Sequence, residues 1–101
     1  MAKGYFIAHV DVRDPDGYKD YVAQNGAVFK KFGGKFLVRG GEFQPKEGSN
    51  HRSRNVVLEF PDYATALACY ESPEYQRLVA LRGPYSVADL IVIEGYDGPQ
   101  P

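Results

Sequence analysis

The sequence has no tryptophan, one cysteine, two histidines and a net charge of only -1. A lone cysteine, Cys69, excludes an intrachain disulfide and fits a reducing compartment. It lies between Ala68 and Tyr70 in a helical pattern with no histidine beside it, so it reads as a small packing residue rather than a nucleophile. The lack of a basic excess argues against nucleic acid as a partner. The one cationic cluster, His51, Arg52 and Arg54, reads as the solvated tip of a hairpin. No apolar run approaches the ~20 residues of a membrane span, and the start of the chain carries no signal-peptide pattern. The expectation is a cytoplasmic protein with no membrane and no nucleic-acid partner.

What is present is an ordinary globular mixture. The chain has 101 residues, 44% of them apolar and 25% charged, with eight tyrosines and six phenylalanines. That is one domain, expected over residues 1–96, with a Gly- and Pro-rich loose tail over 97–101. Its aromatics suit a core, an interface or a pocket.

The hydrophobic periodicity changes along the chain. Residues 4–12 alternate Phe6, Ala8, Val10 and Val12 with Tyr5, Ile7, His9 and Asp11, a strand with one dry and one mixed face. Asp14-Pro15-Asp16 is a helix start, and Tyr18, Tyr21, Val22, Asn25, Val28, Phe29 and Phe32 follow at helical spacing. Gly33-Gly34 ends that helix, expected at about 15–32. A second strand over residues 35–43 contains Gly40-Gly41, the mark of a bulge or a close backbone approach. A polar loop over 44–53 leads to a third strand over 54–60. Pro61-Asp62 opens a second helix, which Ser72-Pro73-Glu74 interrupts and restarts. Gly83-Pro84 ends it, and residues 89–96 form the last strand.

The order β-α-β-β-α-β predicts an α+β domain of the ferredoxin-like split type, a four-stranded antiparallel sheet with helices on one face. The helix-facing set is expected to be Phe6, Ala8, Val10, Val56, Leu58, Phe60, Ile91 and Ile93. The open face would then carry Tyr5, Ile7, His9, Asp11, Leu37, Arg39, Val57, Glu59, Leu90, Val92 and Glu94. Such a face is too apolar for water. Its simplest cover is the same face of a second copy, so a homodimer is expected, with two sheets closing into a barrel-like sandwich.

Several runs resemble family 1330 of the domains of unknown function. They include Gly4-Tyr5 with Ile7-Ala8-His9-Val10, Asp14-Pro15 with Tyr18, and Gly33-Gly34. They also include Phe36-Leu37-Val38-Arg39-Gly40-Gly41, Glu59-Phe60-Pro61, Tyr70 with Ser72-Pro73-Glu74-Tyr75, Arg82, and Glu94-Gly95. The resemblance covers nearly the whole chain and implies the dimeric α+β barrel fold. It implies no reaction.

The candidate site is the polar set on the open face. Buried charge is costly unless paired, so Arg39 is expected to pair with Glu59 or Glu94, and His9 to sit beside a carboxylate. One reading is a network that fixes sheet register or dimer geometry. The other is a pocket for a small polar or anionic molecule. In that pocket His9 would move a proton, Glu59 or Glu94 would partner it, and Arg39, Asp11 and Tyr70 would hold the substrate. A non-catalytic binding or dimerisation module is the alternative function. Tyr75 and Tyr85 are further candidates for the pocket mouth. His9-x-Asp11 lacks a third ligand, so no metal is expected, and no cofactor is implied.

Overall fold

The computed structural model describes residues 2–101; Met1, counted in the expected domain, lies outside the described residues. Strand β1 (Gly4–Val12) is followed by helix α1 (Pro15–Lys31), β2 (Lys35–Arg39), β3 (Arg54–Phe60), α2 (Tyr63–Glu71), α3 (Pro73–Arg82), a short 3₁₀ turn (Gly83–Tyr85) and β4 (Ser86–Glu94). The sheet is wholly antiparallel in the order β2-β3-β1-β4. This is the expected ferredoxin-like α+β arrangement, with the helices on one face.

The boundaries follow from local chemistry. The Asp14 carboxylate accepts from the N–H groups of Asp16 (3.1 Å) and Gly17 (3.3 Å), and Pro15 fills the first helical position. At the other end Gly33, with φ +74°, lets the Gly34 N–H reach Phe29 O at 2.8 Å and close α1. Asp62 caps α2 through the Thr65 N–H at 2.7 Å. Ser72 makes the joint between α2 and α3. Its hydroxyl donates to Cys69 O at 2.7 Å and accepts from the Tyr75 N–H at 3.2 Å.

Phe6 anchors the core from the middle of β1, fully buried opposite Leu58 and Val92. Its ring lies 4.8 Å from that of Phe60, 5.9 Å from Phe29 and 5.8 Å from Tyr75. Leu78, Cys69 and Ala66 complete the contact with α2 and α3. Burial pushes the Cys69 thiol up to about 12, which leaves it protonated and inert near neutral pH.

Two strands depart from the expected faces. In β4, Leu90 pairs with Ala8 and Val92 with Phe6, so Leu90 and Val92 face the helices. Ile91 and Ile93 are on the open side, 53% and 43% exposed. Glu94, opposite Gly4, therefore lies on the helix-side parity and not on the open face. In β2 the ladder slips between Phe36 and Val38, with Leu37 as the extra residue. Val38 then pairs with Val57 on the open face, and Arg39 pairs with Val56 and turns to the helix side. The irregularity is at Leu37, ahead of Arg39, and not at Gly40-Gly41. Strand β2 also stops at Arg39, where Gly40 takes φ +67°, while β4 begins three residues earlier than expected.

Candidate functional site

Helix α1 presents Tyr18, Tyr21, Asn25 and Phe29 to the interior, the spacing of one helical face. Helix α3 presents Tyr75, Leu78 and Arg82 in the same way, with Leu78 in the core beneath. Between these helices and the sheet lies a narrow cavity of about 30 Å³, lined by Tyr21, Asn25, Tyr75 and the side chains of Arg39, Arg54 and Arg82 over an apolar floor. That is space for one or two waters. A wider cleft of about 490 Å³ opens beside it, formed by Val12, Pro15, Lys19 and Ala23. Tyr18, Val22 and Arg54 line both spaces and connect them.

The polar groups of the inner cavity are incompletely matched. The Tyr21 and Tyr75 hydroxyls share a hydrogen bond of 2.8 Å. Burial pushes the Tyr75 hydroxyl far above its ordinary value, with Tyr21 adding to the rise and Arg82 opposing it. Tyr18 is raised as well, again chiefly by burial. The Arg82 guanidinium lies 5.5 Å from the Tyr21 ring centroid. Burial works against its charge, but the Tyr75 and Tyr21 hydroxyls more than offset this and hold its pKa above the usual arginine value. Arg39 stacks 4.1 Å above Phe36. Among the described residues, two buried side-chain atoms have no partner, Asn25 Oδ1 and Arg54 Nε. Asn25 as a whole is 6% exposed. A buried orphan of this kind costs about 1–3 kcal/mol.

No carboxylate or imidazole lines the cavity. Among the described residues the ion pairs are Lys19–Asp16, Lys31–Glu74, Lys35–Glu59 and the two of Arg52. Arg39, Arg54 and Arg82 have no anionic partner there. The Arg54 guanidinium is also packed against Gly40, where a Cβ would collide with it. A Cβ at Gly40 would thus meet a side chain rather than another backbone, and one at Gly41 would meet nothing within 4 Å. Both glycines lie beyond the end of β2, so the pair marks neither the bulge nor the close backbone approach expected of it.

The expected site residues are not gathered in one place. His9 is exposed on the open face, and its partner is an amide, Asn55 Oδ1, at 2.6 Å from Nδ1, rather than a carboxylate. Glu59 accepts from the Tyr5 hydroxyl at 3.1 Å and pairs with Lys35 at 3.3 Å. Partial burial works against its charge, but Lys35 and Tyr5 outweigh that and lower its pKa. The Tyr5 hydroxyl rises, through burial first and Glu59 second. Asp11 accepts from the Ser53 N–H at 2.8 Å and from Arg52 at 2.9 Å, and both lower its pKa. Arg39 and Glu94 lie on the other side of the sheet from Glu59, so the expected Arg39–Glu59 pair does not form, and Arg39 and Glu94 make no ion pair with each other among the described residues. Tyr70 packs against Phe6 (6.1 Å) and Tyr75 (5.6 Å) as a core residue. Of the three tyrosines expected at a pocket mouth, only Tyr75 lines the inner cavity. His9 does border a shallow depression of about 140 Å³ with Asn50, His51, Arg52, Asn55 and Asp89.

The cluster read as a solvated hairpin tip also divides. Arg52 bridges Asp11 and Asp89 (2.7 Å), and Arg54 turns inward as the first residue of β3. Sequence reasoning missed Asn25 and Arg54 as site residues. Asn25 carried a signal, an amide on an otherwise aromatic helical stripe.

Among solved structures, the chain is similar to a protein of unknown function from Rhodopseudomonas palustris, RPA0582, at 22% identity and TM-score 0.69, covering 96% of this chain and 85% of that one. It is similar to SnoaB, a cofactor-independent oxygenase from Streptomyces nogalater, at 12% identity and TM-score 0.60, covering 100% of this chain and 97% of that one. A dimeric ferredoxin-like protein of unknown function from Thermobifida fusca aligns at 16% identity and TM-score 0.50, covering 91% of this chain and 92% of that one. At these identities the likeness shows the fold alone. No curated protein matches the chain. The sequence matches the family Domain of unknown function (DUF1330) over residues 3–96, and the chain belongs to that family.

Proposed function

We propose that this chain is a small-molecule-binding protein acting as a homodimer, with its ligand site between the sheet and α1. The observation that supports the site is the mismatch in the cavity lining: three arginines with no carboxylate to answer them, and a buried amide oxygen with no donor. Orphaned buried polar groups beside an open cleft are what a ligand would satisfy. A crystallographic screen of small organic fragments tests this. Fragments in the inner cavity or the adjoining cleft are the expected result; a screen that fills only other surfaces defeats the reading.

The homodimer rests on the open face. Val38, Val57, Ile7 and Ile91 form one continuous rung across all four strands, and Ile93 adjoins it. A rung of this kind is suited to the same rung of a second copy. The Thermobifida fusca likeness supports it by analogy of fold. Ile91→Glu places a charge in that rung and is expected to shift the protein to monomer in light scattering. A wild type that is monomeric at all concentrations ends the proposal.

A second reading, a proton-transfer enzyme, is favoured by the His9–Asn55 contact. An amide oxygen only accepts, so His9 Nδ1 carries the proton and Nε2 remains as the basic nitrogen. Asp89 and Arg52 flank the same depression. The fold of SnoaB supports small-molecule chemistry on this scaffold only as analogy. Any turnover found for the wild type is expected to fall about 100-fold or more in His9→Ala. Unchanged turnover assigns the chemistry elsewhere.

A further inference from the structure

The inner cavity and the outer cleft differ in character and meet at Tyr18, Val22 and Arg54, of which Arg54 alone is charged. The inner space is small and cationic, and it is lined by Asn25 and Arg54, the two residues that carry the orphaned atoms. The outer space is large and walled mostly by Val12, Pro15, Val22 and Ala23. Arg54 lines both, so its guanidinium stands at the junction. Gly40 lies behind it, and the missing Cβ there leaves room for the guanidinium. About 30 Å³ admits a head group of a few atoms at most, whereas about 490 Å³ falls within the range of small-molecule sites.

Resting on the small-molecule reading above, we propose that the ligand is an amphipathic organic anion. Its oxyanion head meets Arg54 at the junction, and its apolar tail lies in the cleft along α1. Arg54 Nε is a donor without an acceptor, which a carboxylate oxygen supplies. Asn25 Oδ1 is an acceptor without a donor, which a hydroxyl or a water beside the head supplies. Arg82 and Arg39 add positive potential with no carboxylate competing for them. The cleft walls offer the tail aliphatic surface, with Lys19 at the side.

Calorimetric titration of the full chain with octanoate, octan-1-ol and propionate separates the two halves of the proposal. Octanoate is expected to bind at least about tenfold more tightly than either of the others, a difference of about 1.4 kcal/mol. Arg54→Met is expected to bring octanoate down to the level of octanol, and Arg54→Lys to restore part of the preference. Ala23→Trp, on the exposed flank of α1, fills the cleft and is expected to bring octanoate down to the level of propionate. Equal binding of octanoate and octanol by the wild type overturns the anionic head. Equal binding of octanoate and propionate overturns the apolar tail. A preference that survives Arg54→Met overturns the role of Arg54. Each of these results leaves the pocket standing if the fragment screen fills it, whereas an unfilled pocket removes the reading beneath.

Discussion

The two faces of the sheet treat polar groups in opposite ways. On the open side the polar groups come in matched sets: Lys35 with Glu59 and Tyr5, Arg52 with Asp11 and Asp89, His9 with Asn55. On the helix side, Arg39, Arg54, Arg82 and Asn25 border a cavity without anionic partners. A face intended for another protein surface needs its charges settled in advance, because a buried unpaired charge would oppose association. A face intended for a ligand leaves them unsettled. The comparison therefore separates a surface whose polar groups are paired from a recess whose arginines are not, the contrast that the proposed dimer face and the proposed ligand site would require.

The comparison can be attacked first at two neighbours in β1. Phe6 points to the core and Ile7 to the open face. Phe6→Ala is expected to cost about 3–5 kcal/mol, read by denaturant unfolding. Ile7→Ala should cost much less in dilute protein, and its effect should grow with protein concentration if the open face is the proposed dimer interface. Equal losses at the two positions, independent of concentration, would mean that the faces do not differ as described.

A smaller effect is expected at Asn25. Replacing an orphaned buried amide with a hydrocarbon of similar size, Asn25→Leu, removes an unmet hydrogen-bonding group. Without ligand the variant should be more stable by about 1 kcal/mol, a rise in Tm of roughly 4–8 °C for a domain of this size. A loss of stability would indicate that the amide is satisfied in solution.

The smallest effect belongs to the open side. The Ser53 N–H and Arg52 hold the Asp11 carboxyl below its usual pKa. A depressed carboxylate contributes stability that is full above its unfolded pKa of about 3.9 and is lost as pH falls through the lower folded value. Asp11→Asn should thus lower Tm slightly and evenly above about pH 5, and the gap should close below about pH 4. A gap that widens in acid would contradict the depressed pKa.

Much of the fold was legible because its boundaries are chemical. Asp14-Pro15, Gly33-Gly34 and Ser72-Pro73 are each a donor–acceptor or backbone solution to a chain end, and each works where it was read. The faces of β4 were not legible from periodicity, since residues 90–93 are all apolar and either parity satisfies a dry core. Asp89 held the clue. It shares parity with Ile91 and Ile93, and a carboxylate under the helices would have been buried without a partner. The site suffered most from the slip in β2. Nothing in Phe36-Leu37-Val38-Arg39 distinguishes a bulge from a regular strand, because either arrangement places at least one apolar residue on each side. Arg39 was therefore assigned to the wrong side, and the proposed partnership with Glu59 went with it. Arg54 was hidden by its neighbours in sequence, Arg52 and Ser53, which face Asp11.

The extra residue at Leu37 has a consequence for how β2 is counted. Between Phe36 and Arg39 the chain spends two residues, Leu37 and Val38, but the ladder has a single rung, Val57. Removing Leu37 would leave Phe36 and Arg39 on the helix side and merely straighten the strand. Smoothing the strand while keeping Leu37 would instead exchange Val38 and Arg39, moving a cation from the recess to the open face. Deletion of this residue is thus quieter than it looks, and point substitutions that relax the slip are louder. In comparing related chains along this strand, the rung is the unit to align, and the residue number misleads by one.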